Sequence, residues 1–321
     1  MNAFLRLFRP LRVMARSSLP GAFAAVVILS SCTAVGNEQV LNSIGAAAGQ
    51  QIVSRVGGSA GQVLSAVAAN AGTVAAVLDT SDEGELRTAA RAEKAIVGKS
   101  GRSRHREMER YLTDMAERLG SHAEGGRFRY RVRLLRGRQI NAATPGGGVI
   151  LVWEGLLRAA TTEAQVAAVI GHEIAHVILR HPKRSQQRRL ATAIGVAVLQ
   201  ASGSPLASGI AGQATAVGVT AINNGFSQAQ EHQADEMGLD LMVAAGYDPY
   251  GAPQFHQILL RNKGGEVGGL ANLLLNTHPT SSRRTKRLNK LIRRRYSNAQ
   301  MADVIDTTPT YRALRNAMGR R

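Results

Sequence analysis

The spacing of apolar residues predicts helices on both sides of a short sheet. Between Ser103 and Leu119 apolar residues recur at helical spacing, and Gly120 follows as a stop signal. From Arg127 to Leu134 apolar residues alternate strictly with arginines, which predicts a strand with one face in the core. The other face carries four arginines, and it faces either solvent or an anionic surface.

A second extended region is predicted between Ile140 and Val152. A Pro-Gly-Gly-Gly turn at residues 145–148 divides it, and the apolar run Val149–Val152 follows. The glycines leave backbone groups accessible and keep the strand short, so we expect Val149–Val152 to lie at the edge of the sheet. These patterns predict an α+β fold that is mostly helical with a small sheet.

An apolar helix is predicted to begin at Thr162 and to end before Pro182, with Thr162 and Gln165 forming a capping box. It contains Gly171-His172-Glu173-Ile174-Ala175-His176, an HExxH motif. Histidines at positions i and i+4 project side by side from a helix, so both can bind one Zn²⁺. Glu173 lies beside the metal, where it can accept a proton from a bound water.

A downstream helix offers the carboxylates that such a site needs. Ser227 and Gln230 fit a second capping box, and Glu231 and Asp235 follow at positions i and i+4. Their face of the helix is otherwise small or apolar, and carboxylates on a buried face are costly unless they are paired or bind metal. We therefore expect Glu231 to be the third zinc ligand and Asp235 to orient a ligating histidine.

HExxH followed by a distant ExxxD resembles the gluzincin family of CAAX prenyl endopeptidases and HtpX-type membrane proteases. The resemblance covers roughly residues 103–297 and is closest to a small outer-membrane lipoprotein branch without spanning helices. Further residues match the family pattern: Asn141-Ala142 before the glycine-rich turn, Gly155-Leu156-Leu157, Gly246-Tyr247-Asp248-Pro249, and Thr277-His278-Pro279 with Arg284 six residues after the histidine.

The resemblance implies a zincin-like fold that binds one Zn²⁺ per chain. It implies that His278 and Arg284 lie near the metal, where they would stabilise the oxyanion or cap the zinc in a resting state. The four histidines without a partner pattern are expected to be surface or packing residues: His105, His122, His181 and His256. The family's edge strand, which would bind an extended substrate, maps to Asn141, Gly147, Gly148, Val149, Ile150 and Leu151.

The N-terminal residues have the features of a lipoprotein export signal. Residues 1–31 combine a basic start with an apolar run, and Leu29-Ser30-Ser31-Cys32 resembles a lipobox. Cys32 is the single cysteine, so it has no disulfide partner within the chain. We expect a lipid on Cys32 that anchors the protein to the outer membrane, facing the periplasm; the alternative is an ordinary signal peptide.

The remaining segments suggest the domain organisation. Residues 32–100 are rich in alanine and glycine and form either a tether or a helical segment, residues 101–297 form the metallopeptidase domain, and residues 298–321 form a basic tail. Residues 190–230 carry no charge, which favours a helical hairpin that covers the active-site domain rather than a segment that dips into the membrane.

These inferences predict a metalloendopeptidase that hydrolyses misfolded or misassembled envelope proteins. The alternative is an envelope chaperone or assembly factor that retains the zinc site. The formal net charge of +18 predicts an acidic partner. An exported protein rarely meets nucleic acid, so we expect contact with anionic lipid or lipopolysaccharide headgroups, or simple solvation of the basic residues.

Overall fold

The fold is that of a computed structural model of the chain. The structure describes residues 78–124, 126–201, 225–262, 278, 282–296 and 303–319. The predictions for the signal peptide, for Cys32, for residues 33–77 and for most of the uncharged stretch lie outside the described residues. Most of the described chain belongs to one compact unit, residues 80–189 and 217–321.

Helices surround a small central sheet in the described part of the chain, and the predicted fold class is confirmed. The three strands are β1 (Arg131–Leu135), β2 (Ala142–Gly146) and β3 (Val149–Trp153). The helices are α1 (Asp82–Ser100), α2 (Arg106–Ser121), α3 (Glu154–Ala159), α4 (Glu163–Ile178), α5 (His181–Ala201), α6 (Gln228–Ala244), α7 (Gly251–Arg261), α8 (Ser282–Arg295) and α9 (Pro309–Gly319).

The order of the strands corrects the predicted edge strand. The sheet order is β1-β3-β2, with β3 parallel to β1 and antiparallel to β2. The strand that contains Val149, Ile150 and Leu151 is therefore central, and all five of its residues are buried. Because Gly146, Gly147 and Gly148 all have positive φ, the chain turns back tightly and leaves β2 as the edge strand on that side.

Both faces of the sheet are covered by helices. Val132, Ile150 and Val152 belong to the main core, in which α2 and α4 pack against the sheet. Leu151 and Trp153 belong to the opposite face, where they form a smaller apolar cluster with Ala89 of α1. Burial on both faces explains why β3 is a continuous apolar run rather than an alternating one.

The predicted row of arginines is largely paired with α1 rather than free. Glu93 lies 2.7 Å from Arg131 Nη2 and 2.6 Å from Arg133 Nε. Arg127 forms an ion pair with Asp82 at the start of α1. Acidic side chains of α1 thus cover the basic face of the strand, and Arg129 is the member of the row that remains exposed.

The segment predicted to be a basic tail contains α9, which packs on the domain. Tyr311 of α9 is fully buried in the main core. The carboxylate of Glu163, which is itself fully buried at the start of α4, accepts hydrogen bonds from the backbone and the hydroxyl of Thr308 at 2.8 and 2.6 Å. The hydroxyls of Tyr111 and Tyr247 donate to the same carboxylate at 2.7 and 3.0 Å. These contacts hold the chain terminus against the beginning of α4.

Candidate metal centre

Helix α4 supplies two histidines and a glutamate from its buried C-terminal half. One of the two hydrogen bonds of the predicted capping box is present at its start, where the Thr162 side chain accepts a hydrogen bond from the Gln165 backbone. His176 and Glu173 are fully buried, and the His172 side chain is 14% exposed. The i, i+4 spacing places the two imidazoles side by side, with their Nε2 atoms 3.0 Å apart.

Helix α6 brings its carboxylates to the same place. The predicted capping box of Ser227 and Gln230 is present in both directions and fixes where α6 begins. Farther along, Gly238 and Gly171 let α6 and α4 approach closely, because a Cβ on Gly238 would lie 3.1 Å from the backbone nitrogen of His172. This approach places the buried carboxylate of Glu231 beside both histidines of α4.

Four donor atoms from three segments converge at one point. The carboxylate oxygens of Glu231 lie 3.5 Å from His172 Nε2 and 3.4 Å from His176 Nε2. His278 adds its Nδ1 at 3.0 Å from Glu231 and 3.2 Å from His172 Nε2. Among the described residues this is the group of four that could hold a metal ion: His172, His176, Glu231 and His278.

The spacing of these donors fits zinc. Zinc ligands lie about 2.0–2.1 Å from the ion, so neighbouring corners of a tetrahedron are about 3.3–3.4 Å apart. Five of the separations between donor groups are 3.0–3.5 Å, and all four donor atoms lie within 4.8 Å of one another. Two neutral imidazoles and one carboxylate are the donor set of many catalytic zinc sites, in which water or substrate takes the fourth position.

Asp235 and Arg284 form a second layer behind the donors. Asp235 Oδ1 lies 3.2 Å from His172 Nδ1, so it can accept the proton of that ring while Nε2 faces the centre. Arg284 donates to both Asp235 oxygens at 2.9 and 2.6 Å and lies 2.6 Å from Glu231 Oε2. Burial raises the pKa of Asp235, but the hydrogen bond from His172 and the charge of Arg284 hold the pKa well below its usual range.

The same carboxylates act on the histidines. Burial lowers the pKa of His172, but Asp235 and Glu231 raise it overall to about 9. Burial lowers the pKa of His176 well below its usual value. A ligating histidine must be neutral, so metal binding at this centre competes with a proton on His172.

His181 makes a contact that the sequence did not predict. The pattern favours a surface or packing residue, yet His181 is fully buried and its Nδ1 lies 2.9 Å from Nδ1 of His176. Phe226 stacks on the His176 ring, with the two ring centroids 3.9 Å apart. The sequence signal was a histidine five residues after the HExxH motif. Pro182, expected only to end α4, lies in the first turn of α5.

Glu173 and β2 face each other at the centre. Both oxygens of Glu173 are buried without a hydrogen-bond partner among the described residues, and His278 Nε2 lies 3.4 Å from one of them. Burial raises the pKa of Glu173, although the charges of His278 and His172 oppose this effect. A buried carboxylate with a raised pKa is suited to accept and return a proton.

The free edge of the sheet lies on β2. The backbone oxygen of Asn141 accepts a hydrogen bond from Trp153, and the next residues pair as Ala142 with Val152. Because hydrogen-bonded and non-hydrogen-bonded pairs alternate in an antiparallel ladder, the N–H and C=O of Ala142 point away from β3. Among the described residues no strand pairs with this side of β2.

An apolar pocket opens beside the centre. His172, Glu173 and Arg284 line one side of it. The remaining walls come from α4, α6, α7 and α8 and are mainly aliphatic or aromatic, with Val169, Leu239, Met242, Phe255, Leu259 and Leu288 among them.

Comparison with known proteins agrees with this geometry. Residues 102–292 match the model of peptidase family M48. The metalloprotease LoiP of Escherichia coli (strain K12) is 33% identical over 179 residues, 55% of this chain and 68% of the relative. The beta-barrel assembly-enhancing protease of Yersinia pestis is 34% identical over 175 residues, 53% of this chain and 36% of the relative.

A mitochondrial relative is equally similar. The metalloendopeptidase OMA1 of Arabidopsis thaliana is 34% identical over 169 residues, 52% of this chain and 32% of the relative. The match thus spans about two thirds of LoiP but only about a third of the other two relatives. Among the residues that the structure describes, no helix combines the length and apolar character needed to cross a bilayer.

Proposed function

Because this chain belongs to peptidase family M48, as its motifs predicted, we propose that it is a zinc-dependent endopeptidase with Glu173 as its general base. The observation that carries the proposal is the convergence of His172, His176 and Glu231 from two helices. When bound there, zinc lowers the pKa of a coordinated water and polarises the scissile carbonyl.

The chain's own residues would perform the proton transfers. Glu173 accepts a proton from the attacking water and donates it to the leaving amine, a role that its buried carboxylate supports. Asp235 and Arg284 hold the ligands from behind, and the guanidinium is occupied by the two carboxylates. We therefore assign Arg284 a positioning role rather than the oxyanion role that the family resemblance implied.

The substrate would bind along β2 rather than β3. The outward N–H and C=O of Ala142 offer the hydrogen bonds that an extended peptide needs for strand addition. This arrangement keeps Asn141 at the cleft and moves the binding edge away from Val149–Leu151, which are paired on both sides.

The apolar pocket would accept a substrate side chain next to the scissile bond. It lies against His172 and Glu173 and is walled by side chains such as Met242 and Phe255. We expect cleavage beside apolar residues, which in folded proteins are mostly buried. Such a preference would restrict the enzyme to unfolded or misassembled chains, in agreement with the predicted substrates.

His278 would cap the centre in a resting state. Its Nδ1 lies 3.2 Å from His172 Nε2 and 3.0 Å from Glu231, so it could serve as a fourth ligand in place of a water or substrate oxygen. Replacing His278 with alanine should leave metal binding intact, because three ligands remain. If capping is its main role, His278→Ala raises the rate; if it stabilises the oxyanion, the rate falls.

The mechanism is tested with Glu173→Gln, which keeps the shape of the side chain and removes the base. We expect unchanged zinc content and a loss of about 10²- to 10⁴-fold in the rate of casein cleavage. Wild-type cleavage by this variant would refute the mechanism. Complementation with the same variant tests the chaperone alternative, because a chaperone would still rescue a deletion strain.

We also propose a location in the cell envelope, anchored to the outer membrane by a lipid on Cys32. The Yersinia pestis relative is a beta-barrel assembly-enhancing protease, and its name suggests β-barrel proteins as a class of substrates for this chain. Mass spectrometry of the N-terminal peptide and membrane fractionation of Cys32→Ser test the anchor. A variant that remained in the membrane fraction would contradict it.

Anionic headgroups would meet α8 rather than the arginine row of β1. Helix α8 buries Leu288 and Ile292 and, apart from the buried Arg284, presents its basic residues outward. Arg287 and Arg295 pair with acidic residues of α6, but the other five exposed basic residues form no ion pair within the described part of the chain: Arg283, Lys286, Lys290, Arg293 and Arg294. Each basic residue near an anionic surface contributes about 1 kcal/mol. Vesicle binding that is equal with and without anionic lipid would contradict this contact.

A further inference from the structure

His176 has a partner on the side of its ring that faces away from the centre. Its Nε2 points toward Glu231 at 3.4 Å, and its Nδ1 lies 2.9 Å from Nδ1 of His181. The two rings are steeply inclined to each other, at 68°, with their centroids 4.9 Å apart. On its other side His181 Nε2 lies 3.1 Å from Oε1 of Gln233.

These contacts allow one consistent arrangement of protons. A histidine that binds metal through Nε2 carries its proton on Nδ1, so His176 must donate toward His181. His181 Nδ1 then accepts the hydrogen bond from His176. The proton of His181 lies on Nε2, which donates to the side-chain amide oxygen of Gln233. We propose that His181 is the positioning residue of His176, which fixes the tautomer and the ring orientation that zinc binding requires.

The backbone delivers His181 to this place by a specific turn. Arg180 has φ 53°, a conformation that is uncommon for a residue with a side chain, and it lies in the turn between α4 and α5. Its guanidinium donates to the backbone oxygen of Thr80 at 3.0 Å and to Asp82 at 2.5 Å. The turn is thereby tied to the start of α1, and His181 is held where it is fully buried.

The two histidine ligands therefore have different supports. His172 faces the carboxylate of Asp235, whereas His176 faces a neutral imidazole. An imidazole acceptor orients the ring without adding a negative charge, which leaves the positive charge of the metal less compensated. A metal that keeps more of its positive charge is the stronger Lewis acid for the proposed hydrolysis.

The inference rests on the proposed zinc site and is tested by zinc affinity rather than by turnover alone. His181→Phe keeps a ring of similar size and removes the acceptor, whereas His181→Asn keeps an acceptor oxygen at the position of Nδ1. In the full-length protein we expect zinc binding about 10- to 100-fold weaker in His181→Phe. His181→Asn should recover most of that loss. His122→Asn, at an exposed position, is the matched control and should bind zinc like wild type.

Two measurements separate positioning from a general packing defect. Cobalt substitution reports the ligand geometry, so the absorption spectrum should change in His181→Phe and return in His181→Asn. Histidine ¹⁵N NMR of the zinc-loaded wild type reports the tautomer without any substitution, and we expect the His181 proton on Nε2. This second measurement decides the question even if His181→Phe does not fold.

The outcomes are distinct. A His181 proton on Nδ1, or wild-type zinc affinity in a folded His181→Phe, overturns the positioning role and leaves the proposed hydrolase intact. A wild-type protein that binds no zinc overturns both the proposed function and this inference.

Discussion

The positive charge of Arg284 compensates the buried carboxylates of the metal centre, so replacing Arg284 should lower the stability of the protein. Its side chain is 5% exposed, and the carboxylates that it contacts, Glu231 and Asp235, are 1% and 3% exposed. Removing one partner of a buried ion pair costs about 3–5 kcal/mol, because the remaining charge has lost its compensation. We expect Arg284→Met, which keeps the aliphatic stem, to lower the free energy of unfolding of the metal-free protein by that amount.

Zinc should reduce this cost. When the ion is bound, its charge compensates Glu231, and the main remaining loss is the pair of charged hydrogen bonds to Asp235. Such bonds contribute about 1.5–3 kcal/mol. The assay is urea-induced unfolding at pH 7, with a chelator in one series and excess zinc in the other.

A control on the same helix separates burial from charge. Arg287 forms an ion pair with Glu236, but its side chain is 42% exposed, so Arg287→Met should cost at most about 1 kcal/mol. Adding Asp235→Asn to Arg284→Met should restore part of the stability, because the double variant no longer buries a carboxylate that has lost its guanidinium partner. The reasoning is refuted if metal-free Arg284→Met is as stable as Arg287→Met.

Three further predictions concern the surroundings of the centre. Burial raises the pKa of Glu93, but hydrogen bonds from two arginines hold this pKa below its usual value of 4.5. The ionised carboxylate therefore stabilises the fold above that pH, and this stabilisation is lost as the pH falls through the folded pKa. Glu93→Gln should thus have a lower melting temperature than wild type at pH 7 and the same melting temperature at a pH below the folded pKa of Glu93. A difference in melting temperature that persists at that acid pH would contradict this. Gly238→Val should cost about 1–3 kcal/mol and weaken zinc binding, since it forces α6 away from α4; unchanged zinc affinity by chelator competition would count against it. Glu163→Gln should cost about 1–3 kcal/mol in urea unfolding, because an amide nitrogen would face donors such as Thr308; a neutral result would mean that the terminus is not held by this carboxylate.

The local parts of the site could be predicted from the sequence. An i, i+4 spacing places two side chains on one face of a helix whatever the rest of the fold does, so the pairing of His172 and His176 follows from their spacing alone. The same rule puts Glu231 and Asp235 on one face of α6, and the capping box of Ser227 marks its beginning. Alternation likewise identifies the buried side of β1.

Which elements are neighbours was decided only by the tertiary structure. Periodicity says which face of an element is buried but not what covers it, so the pattern alone favours an edge position for β3 and an open surface for the arginine row. His181 carries no periodic signal, and its contact with His176 depends on the turn at Arg180. The free edge at Ala142 follows from pairing between strands, which is a long-range choice that packing makes and local spacing does not.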